Sequence, residues 1–250
     1  MDLEKSVVYG PVNSRRFGWD LGINLLPVNQ KLCTFDCIYC QYGFSPPLRN
    51  EQLQFPLAGE IISAWARQIQ SARDRGIPLK HTTLSGNGEP TMHPDFANVV
   101  HEIVCWRNQN FPDIKIALLS NGYRLHDPEI RSALQDLDEP IIKLDSAIPQ
   151  KLNLINGPLT NYSLQRLIEN LQKCKNVRIQ TMFLKGWNDD RWDVLQWQNA
   201  LLQIRPQSVQ IYTVARDTAL PGLCPLSKEE LLRIADETTS LLNLPVRAFV

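Results

Sequence analysis

Nowhere in this sequence does an apolar run approach the roughly 20 residues that a helix needs to span a bilayer. Its most apolar stretches, such as "IALL" and "VVHEIV", stop far short. The N-terminal "MDLEKSVVYG" carries acids at Asp2 and Glu4 and no signal-peptide core. We therefore expect no membrane segment and a soluble, cytoplasmic chain. Net charge is absent as well: 26 Lys plus Arg balance 26 Asp plus Glu. That balance argues against a basic groove over the whole molecule, such as nonspecific nucleic-acid binding favours. It leaves room for a local basic patch at "NSRRFG" (13–18), with Lys31 and Arg49 as candidate neighbours. No Pro-, Gly- or Ser-rich linker, internal repeat or low-complexity segment divides the chain, so a single domain over 1–250 is expected.

What is present is alternation. Short β-branched or apolar runs at 19–27, 79–86, 114–122, 140–146, 176–186 and 208–214 read as six strands. Between them lie amphipathic patterns. Ala58, Ile61, Ile62, Trp65, Ile69 and Ala72 share a helix face within 57–75, and Phe96, Val99, Val100, Ile103 and Val104 line the next helix, which starts near Pro94. Asp127–Pro128 is an N-cap followed by a first-turn proline. Leu164, Leu167, Ile168 and Leu171 mark another helix, Trp187, Trp192 and Trp197 sit around a helix start at helical spacing, and Ser227 with Glu230 forms a capping box for the last. Six β–α units predict an α/β fold, a partial (β/α)6 TIM-like barrel with a parallel sheet and helices outside. In such folds chemistry collects at the C-terminal strand ends. Here that edge carries "SGNGEP", "SNG", "KLDS", "LKGWND" and "TVARD".

Cysteine is scarce, with six in all and none before Cys33. Cys33, Cys37 and Cys40 nevertheless fall within eight residues, "CTFDCIYC", as C-x3-C-x2-C without a fourth. Structural zinc sites close with four ligands, and electron-transfer iron–sulfur clusters commonly use four thiolates. A zinc site here would need His81 or His93 as a further ligand. A [4Fe–4S] cluster on three thiolates would leave one iron open to a substrate or cofactor. Cys105, Cys174 and Cys224 are scattered singly; we expect them to be inert, with Cys105 a buried small hydrophobe.

The spacing C-x3-C-x2-C in the first βα loop, with "GNGEP" (86–90) after the second strand, resembles the radical S-adenosylmethionine superfamily over nearly the whole chain. The resemblance implies that Cys33, Cys37 and Cys40 bind a [4Fe–4S] cluster whose open iron is chelated by S-adenosylmethionine. It implies that Tyr39 contacts the adenine, and that Gly86, Asn87, Gly88 and Glu89 help hold the methionine amino group. Ser120 and Asn121 resemble the polar pair at the third strand end, and Lys143 and Asp145 would reach ribose or substrate from the same rim. The implied reaction is reductive cleavage of S-adenosylmethionine to a 5′-deoxyadenosyl radical that abstracts hydrogen from a substrate, with an electron donor of flavodoxin or ferredoxin type.

Within that superfamily, "SRRFGWDLGIN" and "VQIYTVAR" look like the branch that includes wyosine-base synthases of tRNA and related iron–sulfur oxidoreductases. On that likeness Arg15, Arg16, Gly18, Gly22, Asn24, Gln210, Tyr212 and Arg216 are expected to line the pocket, with Arg216 meeting a substrate or cofactor carboxylate. The second-cluster cysteines of the wyosine enzymes have no counterpart upstream of Cys33. The substrate is therefore left open among tRNA, a peptide or protein (as for a glycyl-radical activase) and a small molecule. The non-enzymatic alternative is an iron–sulfur redox or regulatory module, which would need a fourth ligand.

Overall fold

The computed structural model describes residues 2–46, 53–159 and 161–250; Arg49 lies outside them. A hairpin opens the chain, β1 (Val8–Ser14) antiparallel to β2 (Gly18–Ile23), with Ser14 opposite Gly18 at the turn. Every later strand is parallel to the one before it: β3 (His81–Leu84), β4 (Lys115–Ser120), β5 (Glu139–Lys143), β6 (Arg178–Met182), β7 (Ser208–Tyr212) and β8 (Val246–Phe249). The result is one eight-stranded sheet in sequence order. It curls into a partial barrel: among the described residues no pairing joins β8 back to β1.

The helices are α1 (Ala58–Asp74), α2 (Phe96–Asn110), α3 (Pro128–Gln135), α4 (Pro149–Asn156), α5 (Leu164–Leu171), α6 (Arg191–Ile204) and α7 (Lys228–Leu242). Side chains alternate across a strand, so each strand sends one set outward to the helices and the other into the barrel. The outward set is apolar. Leu21, Ile23, Leu84, Ile116, Leu118, Ile142, Ile179, Val209 and Ile211 are fully buried against Trp65, Ile103, Leu171, Trp197, Leu231 and Ile234. Helices of eight residues such as α5 are marginal alone, so burial of Leu167, Ile168 and Leu171 is what holds it. No helix among the described residues is long and apolar enough to cross a membrane.

The inward set mixes Leu119, Ile141 and Met182 with many polar and charged groups, more than a sealed core would tolerate. At the N-terminal end of the strands, Glu139 Oε2 meets Arg178 at 2.6 Å, and its Oε1 lies 3.7 Å from His81 and 3.8 Å from Lys115. Burial pushes the Glu139 carboxyl up, but His81 and Arg178 outweigh it and hold it below its ordinary range. Phe17, from the β1–β2 turn, stacks on His81 at 4.8 Å between ring centroids and covers this floor.

The six expected strands are all present as β2 to β7, each shorter than predicted. Two strands escaped the pattern. β1, "VYGPVNS", has Gly and Pro at its centre and a register irregularity between Tyr9 and Val12, and β8 spans only four residues. Helix α4 was also missed, since "PQKLNLIN" buries only Leu152, Ile155 and Asn156. The capping box at Ser227 and Glu230 and the Asp127 cap are in place. Cys105 corrects an expectation: it faces out of α2 and is exposed, because the core-facing positions of that helix are Val99, Val100, Ile103 and Val104. Cys174 is half-buried against the core and Cys224 is exposed.

Candidate active site

The loop between β2 and α1 carries the three clustered cysteines and is fastened at two places. Leu32 bridges to Gly88, with Leu32 N donating to Asn87 O at 2.8 Å and Glu89 N to Leu32 O at 2.9 Å. Phe35 bridges to Pro158, and Asp36 N and Ile38 N donate to Gly157 O and Ile155 O, each at 2.9 Å. Two glycines make the first clamp possible. A Cβ on Gly88 would stand 1.8 Å from Leu32 O, and one on Gly86 would stand 2.5 Å from Asn24 Oδ1. Gly86 and Gly88 also hold φ of +150° and +140°, a region that favours glycine.

With the loop held this way, Cys33, Cys37 and Cys40 line a cavity of about 650 Å³ that opens into the barrel. Tyr39, Gly86, Gly88, Glu89, Ser120, Asn121, Lys143, Tyr212 and Arg216 line the same cavity. Two of the sulfurs already receive N–H groups: Asn156 Nδ2 reaches Cys37 Sγ at 3.3 Å and Asn121 Nδ2 reaches Cys33 Sγ at 3.9 Å. Burial pushes the Cys33 thiol far up and the Cys37 thiol up to about 11, with Lys143 pulling Cys37 the other way. Thiolates here would therefore need a positive partner beyond what the protein supplies. No group of three or more His, Cys, Asp or Glu among the described residues stands close enough to hold one metal ion. Neither His81 nor His93 lines the cavity. His93 bonds Pro56 O at 3.1 Å, and His81 belongs to the Glu139 floor.

Glu89 is the anionic centre of the upper wall. Its Oε1 accepts from Thr91 N (3.1 Å), Thr91 Oγ1 (2.6 Å) and Ser120 Oγ (2.7 Å), while Oε2 accepts, among the described residues, only Asn121 N (2.7 Å). Burial nevertheless holds its pKa above the ordinary range, and it stands in no ion pair among the described residues. A buried carboxylate with spare capacity on one oxygen suits a cationic group.

Along the opposite wall, aromatic rings and cations alternate. Lys143 Nζ lies 5.0 Å from the Tyr39 ring centre and 5.4 Å from that of Tyr212, and Arg16 lies 5.7 Å from the other end of the row at Tyr212. Lys143 donates to Tyr212 Oη at 2.9 Å, and Tyr212 donates to Gln180 Oε1 at 3.2 Å. Burial alone would lower the Lys143 pKa, but Asp145 at 3.8 Å and Tyr212 raise it well above the ordinary lysine value. Lys143 is thus a fixed cation, not a base.

Several expected residues fall elsewhere. Asp145 is buried behind the wall and does not line the cavity. Its Oδ1 accepts Met182 N at 2.8 Å, and its Oδ2 accepts Asn156 Nδ2 at 2.7 Å and the Tyr39 hydroxyl. It positions Tyr39 and balances Lys143. Asn87 is likewise consumed: its side chain ties Glu4 N and O and Pro27 O, at 2.8 to 3.0 Å, which anchors the N-terminal segment. Asn24 turns onto Leu26 and Asn87, and Gly18 and Gln210 also lie off the cavity, whereas Arg15, Arg16 and Gly22 line it. Gly22 is glycine because the Tyr9 ring lies over it, 2.0 Å from any Cβ.

Asn156, Asp20 and Gln180 were not singled out in the sequence. Asn156 touches Cys37, Tyr39 (3.1 Å) and Asp145 together. Its one local signal is the Asn–Gly pair closing α4, where Gly157 lets the cysteine loop pass with Asp36 O 2.9 Å from a Cβ position. Asp20 is detectable as the lone polar residue of β2, whereas Gln180, between Arg178 and Thr181 in β6, has no such signal.

Comparison with known proteins agrees with this geometry. The family described as the Radical SAM superfamily matches residues 30–197, and the chain belongs to it. A Brachyspira hyodysenteriae protein named GTPase Obg is 28% identical over 234 residues, covering 92% of this chain and 33% of its own length. A UPF0026 protein of Helicobacter pylori is 27% identical over 233 residues, covering 91% of this chain and 72% of its own. This chain thus spans only a third of the first relative. Among solved structures, TYW1 with a lysine-pyruvate adduct superposes with a TM-score of 0.64 at 17% identity, over 88% of this chain and 73% of that one.

Proposed function

We propose that this superfamily member holds a [4Fe–4S] cluster on Cys33, Cys37 and Cys40 and S-adenosylmethionine beside it, and that it takes a hydrogen atom from a substrate in the barrel. The observation that carries this reading is convergence: three thiols on one loop line a single cavity together with Gly86, Gly88, Glu89, Ser120 and Asn121 from two further strand ends. The donor set fits the group. Three half-buried thiols on one loop suit an iron–sulfur cluster, and N–H groups on two of the sulfurs are the kind of contact that sets such a cluster's potential. The glycine cradle leaves room against the Leu32 backbone, and the open side of Glu89 suits the cofactor's ammonium.

When bound, the pair supplies one-electron cleavage of the sulfonium and, from it, hydrogen abstraction, with the electron coming from a small donor of flavodoxin or ferredoxin type. The protein's own part is positional. Asp145 accepts from the Tyr39 hydroxyl and so fixes the ring at the cavity wall. Lys143 keeps its proton and presents a cation between Tyr39 and Tyr212. Arg216, tied to Gln41 Oε1 at 2.7 Å, sits at the mouth ready for an anionic group.

The test is iron per chain and 5′-deoxyadenosine formed with dithionite after anaerobic reconstitution. Wild type should load about four irons, and Cys37→Ala should lose both the cluster absorbance and the cleavage. A Cys37→Ala variant that still made 5′-deoxyadenosine at the wild-type rate would end this reading.

A further inference from the structure

Deeper in the barrel, below the cysteines, the same cavity is lined by polar groups that the cofactor reading does not use. Three of them carry a buried polar atom that has no partner among the described residues. The Arg16 guanidinium, carried in on the β1–β2 turn, has one terminal nitrogen without an acceptor. Asp20 Oδ2 accepts Thr83 Oγ1 at 2.7 Å, but its Oδ1 accepts nothing. Gln180 is 4% exposed; Tyr212 occupies its oxygen and its Nε2 donates to nothing. Arg16 and Asp20 are near neighbours on one hairpin, yet they make no ion pair with each other. Leaving such groups bare costs about 1–3 kcal/mol each, so their convergence on one cavity points to a ligand that completes them.

The charges say what kind of ligand. Arg15, Arg16 and Arg216 line the cavity, and none of them is paired with a carboxylate among the described residues. Besides Asp20, the acids lining the cavity are Glu89, which the proposed function assigns to the cofactor, Glu4, which accepts the Tyr42 hydroxyl at 3.0 Å, and Asp217 beside Arg216. What stands buried and free at the base of the cavity is a guanidinium nitrogen, an amide N–H and one carboxylate oxygen. A matching ligand has an oxyanion for Arg16 and Gln180 and an O–H or N–H for Asp20. Size narrows it further, because about 650 Å³ must hold the cofactor as well. The formal charge of zero argues against a basic groove over the whole molecule, such as a polyanion favours.

We propose that the substrate is a small hydroxy- or amino-substituted acid, carboxylate or phosphate, whose oxyanion docks on Arg16 and whose donor group docks on Asp20. This deepens the proposed function and rests on it for the chemistry, but the binding itself can be measured without turnover. Burial pushes the Asp20 carboxyl up to about 6, with Thr83 and His81 drawing it back, so at neutral pH it is an acceptor in want of a donor.

The experiment is isothermal titration calorimetry of the anaerobic, iron-loaded protein at low salt, with malate, succinate and succinamide as probes. Malate carries both features, succinate lacks the hydroxyl and succinamide lacks the charge. Binding should rank in that order. Arg16→Gln should weaken malate at least tenfold, and Asp20→Asn should erase the preference for malate over succinate. Iron per chain should match wild type in both variants, since neither side chain touches the cysteine loop. S-adenosylmethionine should leave malate binding in place. Equal binding of malate and succinamide, or no effect of Arg16→Gln, would overturn the inference. Displacement of malate by S-adenosylmethionine would assign these groups to the cofactor and overturn it as well. Displacement by bulk tRNA, lost in Arg16→Gln, would show an oxyanion of RNA in place of a small molecule. Failure of the wild type to load iron would instead count against the cluster assignment and leave the probe ranking to be judged on the apoprotein.

Discussion

Gly88→Ala is the most informative single perturbation, because one methyl group tests the clamp that brings the cysteine loop to the sheet. Its Cβ would stand 1.8 Å from Leu32 O and 2.4 Å from Leu32 C, both backbone atoms that cannot rotate away. The loop must move, and with it go Leu32 N to Asn87 O and Glu89 N to Leu32 O. Two backbone hydrogen bonds contribute about 1 kcal/mol each net, and a non-glycine residue at φ +140° adds about 1–3 kcal/mol of strain. A loss of about 3–5 kcal/mol follows from these figures, or about 10 °C in Tm for a chain of this size. The measurement is thermal unfolding of the iron-free protein, so that a cluster cannot mask the effect, with iron per chain after reconstitution as the second readout. Gly59→Ala is the control: that site, on α1, has no atom within 4 Å of its Cβ position. It should stabilise by about 0.5–1 kcal/mol. A Gly88→Ala protein that melted within about 2 °C of wild type and loaded the same iron would refute the idea that this contact positions the loop.

Two further predictions concern charge. Asp20 is raised to about 6, so between its unfolded value and pH 6 the folded state loses stability as pH rises, and above pH 6 the penalty is constant. Asp20→Asn should therefore stabilise the protein at pH 8 by about 1–2 kcal/mol, allowing for water in the cavity, and by nothing at pH 4; equal effects at both would contradict the cause assigned. Glu139 is held below its ordinary range by His81 and Arg178 despite burial, so its contribution is present at neutral pH and fades as acid protonates it. Glu139→Gln should cost about 2 kcal/mol at pH 7, with the gap to wild type closing below about pH 4; urea unfolding at the two pH values would check it.

Much of the fold was readable in advance because its signals are local. Strand and helix periodicity, the Asp127 cap and the Ser227–Glu230 box each involve residues a few positions apart, and all are in place. β1 and β8 were not readable, since a strand broken by Gly–Pro and one of four residues have little pattern of their own. The site divides the same way. Gly86, Gly88, Glu89, Ser120 and Asn121 stand in short motifs at strand ends and Cys33, Cys37 and Cys40 in the loop after β2, and the parallel strands bring these ends to one edge. Asn87 and Asp145 stand in the same motifs and yet serve the scaffold, because sequence spacing does not say which face of a loop meets the cavity.

By itself, then, the order of residues determined the alternating architecture, the edge where chemistry gathers and the three-thiol loop. Each follows from backbone periodicity or from contacts within a few residues. Only the tertiary structure decided the partners across long separations: Asn156 on Cys37 over 119 residues, Asn87 on Glu4 over 83, and Tyr39 on Asp145 over 106. It also decided which polar groups were left bare, as at Arg16, Asp20 and Gln180. Such pairings depend on how a curled sheet aims side chains across its interior, and no local pattern encodes that aim.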